Sequence, residues 1–159
     1  MKRANQLQPL SRQHHLGLNL SRHAKECADE SEEIAKHWHN LTSYINDMQY
    51  HFQIEDNLIA LALEPYRTTH PDVASVLDTL DGQHKQLHKT INEVEASQKS
   101  GNKDITVAQV KALGILLYDH IRFEERALYP AVEKYLTEAE LDDVYKARPD
   151  SIKRPAENR

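Results

Sequence analysis

The sequence predicts an all-α protein, an up-down four-helix bundle with a short C-terminal fifth helix. Apolar residues recur every three or four positions over long stretches, as they do along one face of a helix. No segment alternates polar and apolar residues in the manner of a half-buried strand. The chain contains only four Gly and six Pro. Because the prolines cluster near expected helix ends, they divide the chain into a few long segments.

Composition limits the classes of protein to which the chain can belong. Its 159 residues suit one domain with a single good core, and the net charge of -5 gives no electrostatic reason to expect nucleic acid or a membrane as partner. No apolar run approaches the roughly 20 residues that span a bilayer, and the first residues lack the apolar stretch of a secretory signal. The single Cys27 cannot form an internal disulfide, which suits a reducing compartment. We therefore expect a cytoplasmic domain.

The N-terminal half predicts a polar lead-in at residues 1–9, followed by two helices. The first helix is expected from Ser11 to about Ala28, with Leu10, His14, Leu18 and Ser21 on one face. Acidic residues at 29–33 suit the start of the second helix, which should end before Pro65, because negative charge stabilises a helix N-terminus. The inner face of this second helix is expected to carry Trp38, Leu41, Tyr44 or Ile45, Met48, His51, Glu55, Leu58 and Ala62.

The C-terminal half predicts two more long helices and a short one. The third helix is expected from Pro71 to about Ser97, with a kink or break at Gly82, and residues 100–104 form the clearest loop. The fourth should run from about Ile105 to Leu136 and bend or split at Pro130. A capping box at residues 137–140 predicts a short helix over 137–148 after a bundle that spans 10–136. Residues 149–159 are expected to be a flexible tail.

Two pairs of histidine and glutamate occupy the apolar faces of the second and fourth helices. His51 and Glu55 are four residues apart, as are His120 and Glu124, so each pair lies on one helix face. The second pair has as neighbours on its face Leu113, Leu117, Ala127, Leu128 and Ala131. An imidazole and a carboxylate buried without partners cost several kcal/mol by approximate magnitudes, so a metal ion is the obvious compensation.

The inward histidines form an approximate internal repeat. The interval from His14 to His51 nearly equals that from His84 to His120, and a glutamate follows each second histidine. Each half is thus a helical hairpin that supplies one histidine from its first helix and a His-Glu pair from its second. Antiparallel packing of the halves can bring all six side chains to one level of the bundle.

His88 breaks this symmetry, because it lies four residues after His84 on the same face, whereas Leu18 holds the equivalent place after His14. Two metals bridged by Glu55 and Glu124 would then receive unequal numbers of imidazoles. One metal would have His84, His88 and His120, and the other only His14 and His51. We expect the second metal to keep an open position for a small exogenous ligand, which is typical of a reactive site. Nitrogen and oxygen donors without thiolate suit iron, and they also suit manganese or zinc.

Alternatives remain open at several positions. His15 could replace His14 if the first helix rotated slightly, and His88 could be a core histidine rather than a ligand. Tyr44 shares the face of His51 and fits either the core or the wall of a ligand pocket. The two His-Glu pairs could also be surface pairs worth a few tenths of a kcal/mol each, and all the histidines could be merely structural.

These residues resemble the hemerythrins, and in particular the bacterial hemerythrin-like domains called HHE cation-binding domains. His14, His51/Glu55, His84 and His120/Glu124 meet the family pattern, and His88 is similar to the second histidine of the H-x-x-x-H of oxygen-carrying members. The segments LSRQHH and HIRFEERALYP also resemble local signatures of the family. Two features differ from the oxygen carriers: a Glu four residues after the last His, where they have an Asp five residues after it, and a C-terminal extension.

The resemblance implies a four-helix bundle around two non-haem iron ions, Fe2+ or Fe3+, with an oxo or hydroxo bridge. The partners it implies are O2 or a related small ligand such as NO or peroxide, in oxygen, oxidative-stress or nitrosative-stress handling. Reversible binding and enzymatic turnover are both compatible with this pattern. The alternative function is an iron-sensing, redox-sensing or iron-handling module whose metal state a partner reads through the segment after Thr137.

Overall fold

The computed structural model describes residues 3–101 and 104–148, and these residues form helices joined by short connections. The predicted tail 149–159 and part of the predicted loop at 100–104 lie outside the described residues. No strand occurs within the described ranges, as predicted. The α-helices are α1 (Gln8–Lys25), α2 (Ser31–Asp47), α3 (Gln49–Ile54), α4 (Ala60–Leu63), α5 (Pro71–Lys99), α6 (Val107–Phe123), α7 (Tyr129–Tyr135) and α8 (Glu138–Lys146).

Four long rods make up the bundle, and two of them are interrupted by a π-helical turn. The first rod is α1 and the third is α5, which continues through Gly82 without the predicted break. The second consists of α2, α3, a π-helical turn at Glu55–Ile59, and α4, and the fourth consists of α6, a π-helical turn at Glu124–Leu128, and α7. Helix α1 packs against α2 and α6, and α5 packs against α6.

Two separate apolar cores establish that the rods alternate in direction. The first core contains Leu10, Ile59, Leu80 and Leu128, and the second contains Ala24, Leu41, Leu87 and Leu113. Rods one and three run from the first core to the second, whereas rods two and four run from the second to the first. The arrangement is therefore an up-down four-helix bundle, as the sequence predicts, with a level between the cores where all four rods pass.

The π-helical turns shift which residues face the core beyond each glutamate. In the second rod the buried residues after Glu55 are Ile59 and Leu63, where the sequence analysis expected Leu58 and Ala62. A π turn holds one more residue than an α turn, so every position after it moves around the helix. The fourth rod shows the same shift: Leu128 and Val132 are buried, but Ala127 and Ala131 are only half-buried.

The N-terminal residues and α8 pack together over the first core. A 3-10 turn at Asn5–Leu7 precedes α1, so the chain becomes helical earlier than the predicted Ser11, and Leu7 is fully buried. The predicted capping box at Thr137 is confirmed, because its side chain accepts from the backbone of Glu140 at 3.1 Å. Among the described residues, none of the helices is both long and apolar enough for a membrane crossing.

Candidate metal centre

Six of the predicted site residues lie together in the level between the two cores. They come from all four rods, and none is more than 4% exposed. These residues are His14 from α1, His51 and Glu55 from the second rod, His84 from α5, and His120 and Glu124 from the fourth rod. The fold therefore brings these six polar side chains, which the sequence places on apolar helix faces, to one depth of the bundle.

The six side chains form two groups that share both carboxylates. One group contains His14 and His51 with Glu55 and Glu124, and its four ligand-type atoms lie within 4.8 Å of one another. The other contains His84 and His120 with the same two glutamates, and it meets the same 4.8 Å limit. Two cations held side by side would thus share Glu55 and Glu124 and take two imidazoles each.

The Nε2 atoms of the imidazoles face the carboxylates with near two-fold symmetry. His51 Nε2 lies 3.1 Å from Glu55 Oε2, and His120 Nε2 lies 3.2 Å from Glu124 Oε2. Across the halves, His14 Nε2 lies 2.7 Å from Glu124 Oε1, and His84 Nε2 lies 3.3 Å from Glu55 Oε1. The internal repeat seen in the sequence therefore corresponds to a geometric repeat.

Each imidazole is oriented by an acceptor at its other ring nitrogen. The amide oxygens of Gln13 and Gln83 lie 2.9 Å from His51 Nδ1 and 2.7 Å from His120 Nδ1. Because an amide oxygen only accepts, Nδ1 carries the hydrogen in both rings and Nε2 keeps its lone pair for a metal. Carboxylates serve the other two rings: Glu125 lies 2.7 Å from Nδ1 of His14, and Asp56 lies 2.9 Å from Nδ1 of His84.

The buried polar atoms at this level fit a metal ion. Atoms of five residues here make no well-directed hydrogen bond and only face one another at ion-pair distances, namely Nε2 of His14, His84 and His120, Oε1 of Glu55 and both carboxylate oxygens of Glu124. Such atoms are costly to bury unless a further group pairs with them. Imidazole nitrogens and carboxylate oxygens, without a thiolate, are donors that iron accepts.

A comparison with protein families decides the class of the domain. The sequence model of the family described as hemerythrin HHE cation binding domain matches residues 6–132. This chain belongs to the hemerythrin HHE cation-binding family. Searches of curated proteins and of solved structures found no match. Together, the family and the buried His/Glu cluster indicate a metal-binding site, and iron is the metal expected in a hemerythrin domain.

Electrostatics in the hemerythrin domain favour positive charge at this level. Burial opposes protonation of His14, but Glu124 and Glu125 outweigh it and raise its pKa to about 10. Burial likewise opposes protonation of His84, while Asp56, Glu124 and Glu55 raise its pKa to about 12. Despite its burial, Glu124 has a pKa well below its usual value because His120 and His14 lie against it. The carboxylates therefore hold cationic partners, a role that metal ions can fill.

His88 is the predicted ligand that the structure does not bring together with the other six. Its Nε2 lies 3.1 Å from the amide oxygen of Gln49, and the side chain is only half-buried. The ring of Phe52 lies beside it, with centroids 6.0 Å apart, and also packs 4.6 Å from the ring of His84. An aromatic ring thus borders the second group where the sequence analysis expected a third imidazole.

The first helix supplies His14 to this level, and His15 is exposed. Tyr44, whose role the sequence left open, lies in the second core and donates its hydroxyl hydrogen to the backbone oxygen of Gln13 at 2.8 Å. Tyr44 therefore supports the residue that orients His51.

Sequence reasoning missed Tyr129, which is fully buried at the edge of the site. Its hydroxyl donates to Glu55 Oε2 at 3.2 Å and lies 3.3 Å from His51 Nε2. Its ring stacks on His14, with centroids 5.6 Å apart. The α-helical spacing of the sequence does not place Tyr129 at the site. The π-helical turn at Glu124–Leu128 rotates Tyr129 onto the face that other residues would occupy in an uninterrupted α-helix.

Proposed function

We propose that this hemerythrin-like chain is a non-haem di-iron protein that binds O2 or a related small ligand such as NO or peroxide. The observation that carries the proposal is the cluster of four imidazoles and two carboxylates, all at most 4% exposed, in two groups whose ligand-type atoms lie within 4.8 Å of one another. A protein gains nothing by burying these donors for its fold alone, since apolar residues of equal size would pack without the desolvation cost.

The sharing of both glutamates supports two ions rather than one. Each of the two donor groups contains both Glu55 and Glu124, and each has its own pair of imidazoles. We assign His14 and His51 to one ion and His84 and His120 to the other, with the two carboxylates between them. Such an iron pair would supply the redox electrons for chemistry at a bound small ligand.

The remaining residues of the site fix and shield the donors. Gln13, Gln83, Glu125 and Asp56 orient the imidazoles through their Nδ1 atoms. The two apolar cores close the level from above and below, which keeps bulk water from the donors. A preorganised, largely dry site of this kind suits a small uncharged ligand. A cytoplasmic location, predicted from the single cysteine, is part of this proposal.

The test is anaerobic loading with ferrous iron, followed by titration with O2 and with NO under optical spectroscopy. We expect an absorbance change that saturates with ligand in the wild type and in His39→Ala, which removes an exposed histidine. We expect no such change in His120→Ala, which removes a donor. A wild-type protein that binds iron but shows no spectral response to either gas would contradict the proposal.

A second candidate function, sensing or iron handling, is favoured by a chain of contacts from the site to α8. Glu125, which lies against His14 Nδ1, presents its backbone oxygen to Arg3 at 2.8 Å. The segment that begins at Arg3 is fixed to the C-terminal helix, because the amide of Gln6 donates to Glu138 at 3.0 Å and to Asp142 at 3.1 Å. A change at His14 could thus alter how firmly α8 is held.

Hydrogen exchange of α8 in the diferrous and diferric states tests this second function. Sensing predicts faster exchange of α8 amides in one state, with the amides of α5 as an internal control that stays constant. Disruption of the contact chain by Arg3→Ala should remove the difference between the two states. Equal exchange of α8 in both states of the wild type would argue against sensing.

A further inference from the structure

The protein donors alone do not distinguish the two proposed metal positions. Each position has two imidazoles, and both glutamates contribute to each. His88, which the sequence analysis assigned to the second position, lies outside the cluster. Any difference between the positions must therefore come from the residues around them.

Tyr129 closes the position formed by His14 and His51. Its hydroxyl oxygen lies 3.3 Å from His51 Nε2, the atom that would bind the ion, and its ring lies flat against His14. The Arg3 guanidinium lies over the same ring, with its carbon 5.4 Å from the centroid. A ligand approaching this ion would have to displace a fully buried side chain.

Within the described residues, the symmetry-related side has no tyrosine at the equivalent place in the chain. Tyr129 follows Glu124 by the same number of residues as Ala60 follows Glu55, and each is the first residue after a π-helical turn. The first half therefore has the methyl side chain of Ala60 at the position where the second half has the phenol of Tyr129. Near His84 and His120 the neighbouring ring is that of Phe52, which carries no donor atom, at 4.6 Å and 5.8 Å between centroids.

A surface groove borders His84, one of the two imidazoles of the second position. It has a volume of about 650 Å³, and its walls include Asp56, His84, Lys85, His88 and Lys89. His84 is the residue of the six that is least completely buried, at 4% exposed, and its partner Asp56 is itself exposed. The groove therefore gives a small molecule a short path to the imidazole of His84.

We infer that an exogenous small ligand binds the ion held by His84 and His120, and that Tyr129 excludes it from the ion held by His14 and His51. This inference rests on the proposed di-iron function, and it reverses the asymmetry expected from the sequence. The ligand class is a diatomic molecule or a small anion, because His84, the cluster residue that lines the groove, is only 4% exposed and leaves room for little else.

Azide, a small anion that binds ferric iron, is the probe. The protein is loaded with iron and oxidised, its iron content is measured, and the azide adduct is crystallised. The inference predicts azide on the ion bound by His84 and His120. Azide on the other ion, azide bridging both ions, or failure of azide to bind to the loaded protein would overturn the inference. Failure to load iron at all would overturn the proposed function as well, so the two failures are distinguishable.

Two variants give a matched test in solution. Phe52→His introduces an imidazole beside the second position, and Leu18→His introduces one four residues after His14. We expect the azide dissociation constant to rise at least tenfold in Phe52→His and to stay within threefold of wild type in Leu18→His. The opposite ranking would contradict the inference. The crystallographic test on the wild type decides the matter if Phe52→His does not fold.

Discussion

The amide oxygen of Gln83 lies 2.7 Å from Nδ1 of His120, and each half of the bundle contains this relationship, because Gln13 and His51 repeat it at 2.9 Å. In both halves the glutamine directly precedes the histidine that its own helix contributes to the site. A single dipeptide, Gln-His, thus supplies one donor and orients another. The local sequence of each first helix therefore controls two of the three donors in its half.

Gln83→Leu should weaken metal binding about 10- to 100-fold, because His120 loses the acceptor that fixes its tautomer and ring orientation. The matched control is Gln86→Leu, on the same helix and exposed, which should leave affinity unchanged. Competition with a chelator of known affinity measures both. Equal affinity of the two variants would show that Gln83 does not orient a ligand.

The close approach of α1 to its neighbours depends on Gly17. A Cβ atom at this residue would lie 2.6 Å from side-chain atoms of Ile121 and of Tyr44. Gly17→Ala should therefore lower the free energy of unfolding by about 1–3 kcal/mol, as overpacking of a core does. Gly82→Ala, where nothing lies within 4 Å, should instead raise it by about 1 kcal/mol through helix propensity. Chemical denaturation of the two variants should show shifts of opposite sign, and shifts of the same sign would contradict this packing.

The π-helical turn at Glu124–Leu128 can be tested by removal of one residue. Deletion of the exposed Arg126 leaves the right number of residues for a plain α-helix, so Leu128, Tyr129 and Val132 should still face the first core. We therefore expect the free energy of unfolding to fall by no more than about 1 kcal/mol. Deletion of the exposed Ala112, in the α-helical part of the same rod, should lower it by about 3 kcal/mol or more, because it rotates buried residues away from the core. Equal losses in the two deletion variants would show that the turn does not hold an extra residue.

Metal binding should release protons, because the pKa values of His14 and His84 are about 10 and about 12 and a ligating imidazole must be neutral. Both rings are protonated at pH 7 in the metal-free fold, so affinity should rise with pH above 7. In that metal-free fold, the stabilisation from these rings is fully present below pH 6.5 and is lost as pH rises through about 10 to 12. Calorimetric Zn2+ titrations in buffers of different ionisation enthalpy should give the number of protons released. Asp56→Asn should reduce it, because Asp56 raises the pKa of His84, and a heat of binding independent of buffer would contradict this prediction.

Periodicity sufficed to predict the architecture and the depth of the cluster. The four rods, their alternating direction and the inward placement of His51, Glu55, His120 and Glu124 all follow from apolar residues at helical spacing. That reasoning assumes a constant number of residues per turn. Prediction therefore failed just past each glutamate, where a π-helical turn shifts the register.

Two features of the site could not be read from spacing alone. His88 has the right interval from His84, but Gln49 and Phe52 come from another rod, and their contacts keep it outside the cluster. Tyr129 lies on an unexpected face because of the register shift. The positions of both side chains depend on packing between rods, which the spacing of apolar residues along one helix does not report.

The central claim is that two ions lie side by side between the cores. Its most direct test is anomalous diffraction at the iron edge from crystals of the iron-loaded protein. The account predicts two peaks per chain, one beside Nε2 of His14 and His51 and one beside Nε2 of His84 and His120, with Glu55 and Glu124 reaching both. A single peak, or peaks away from these six side chains, would contradict it.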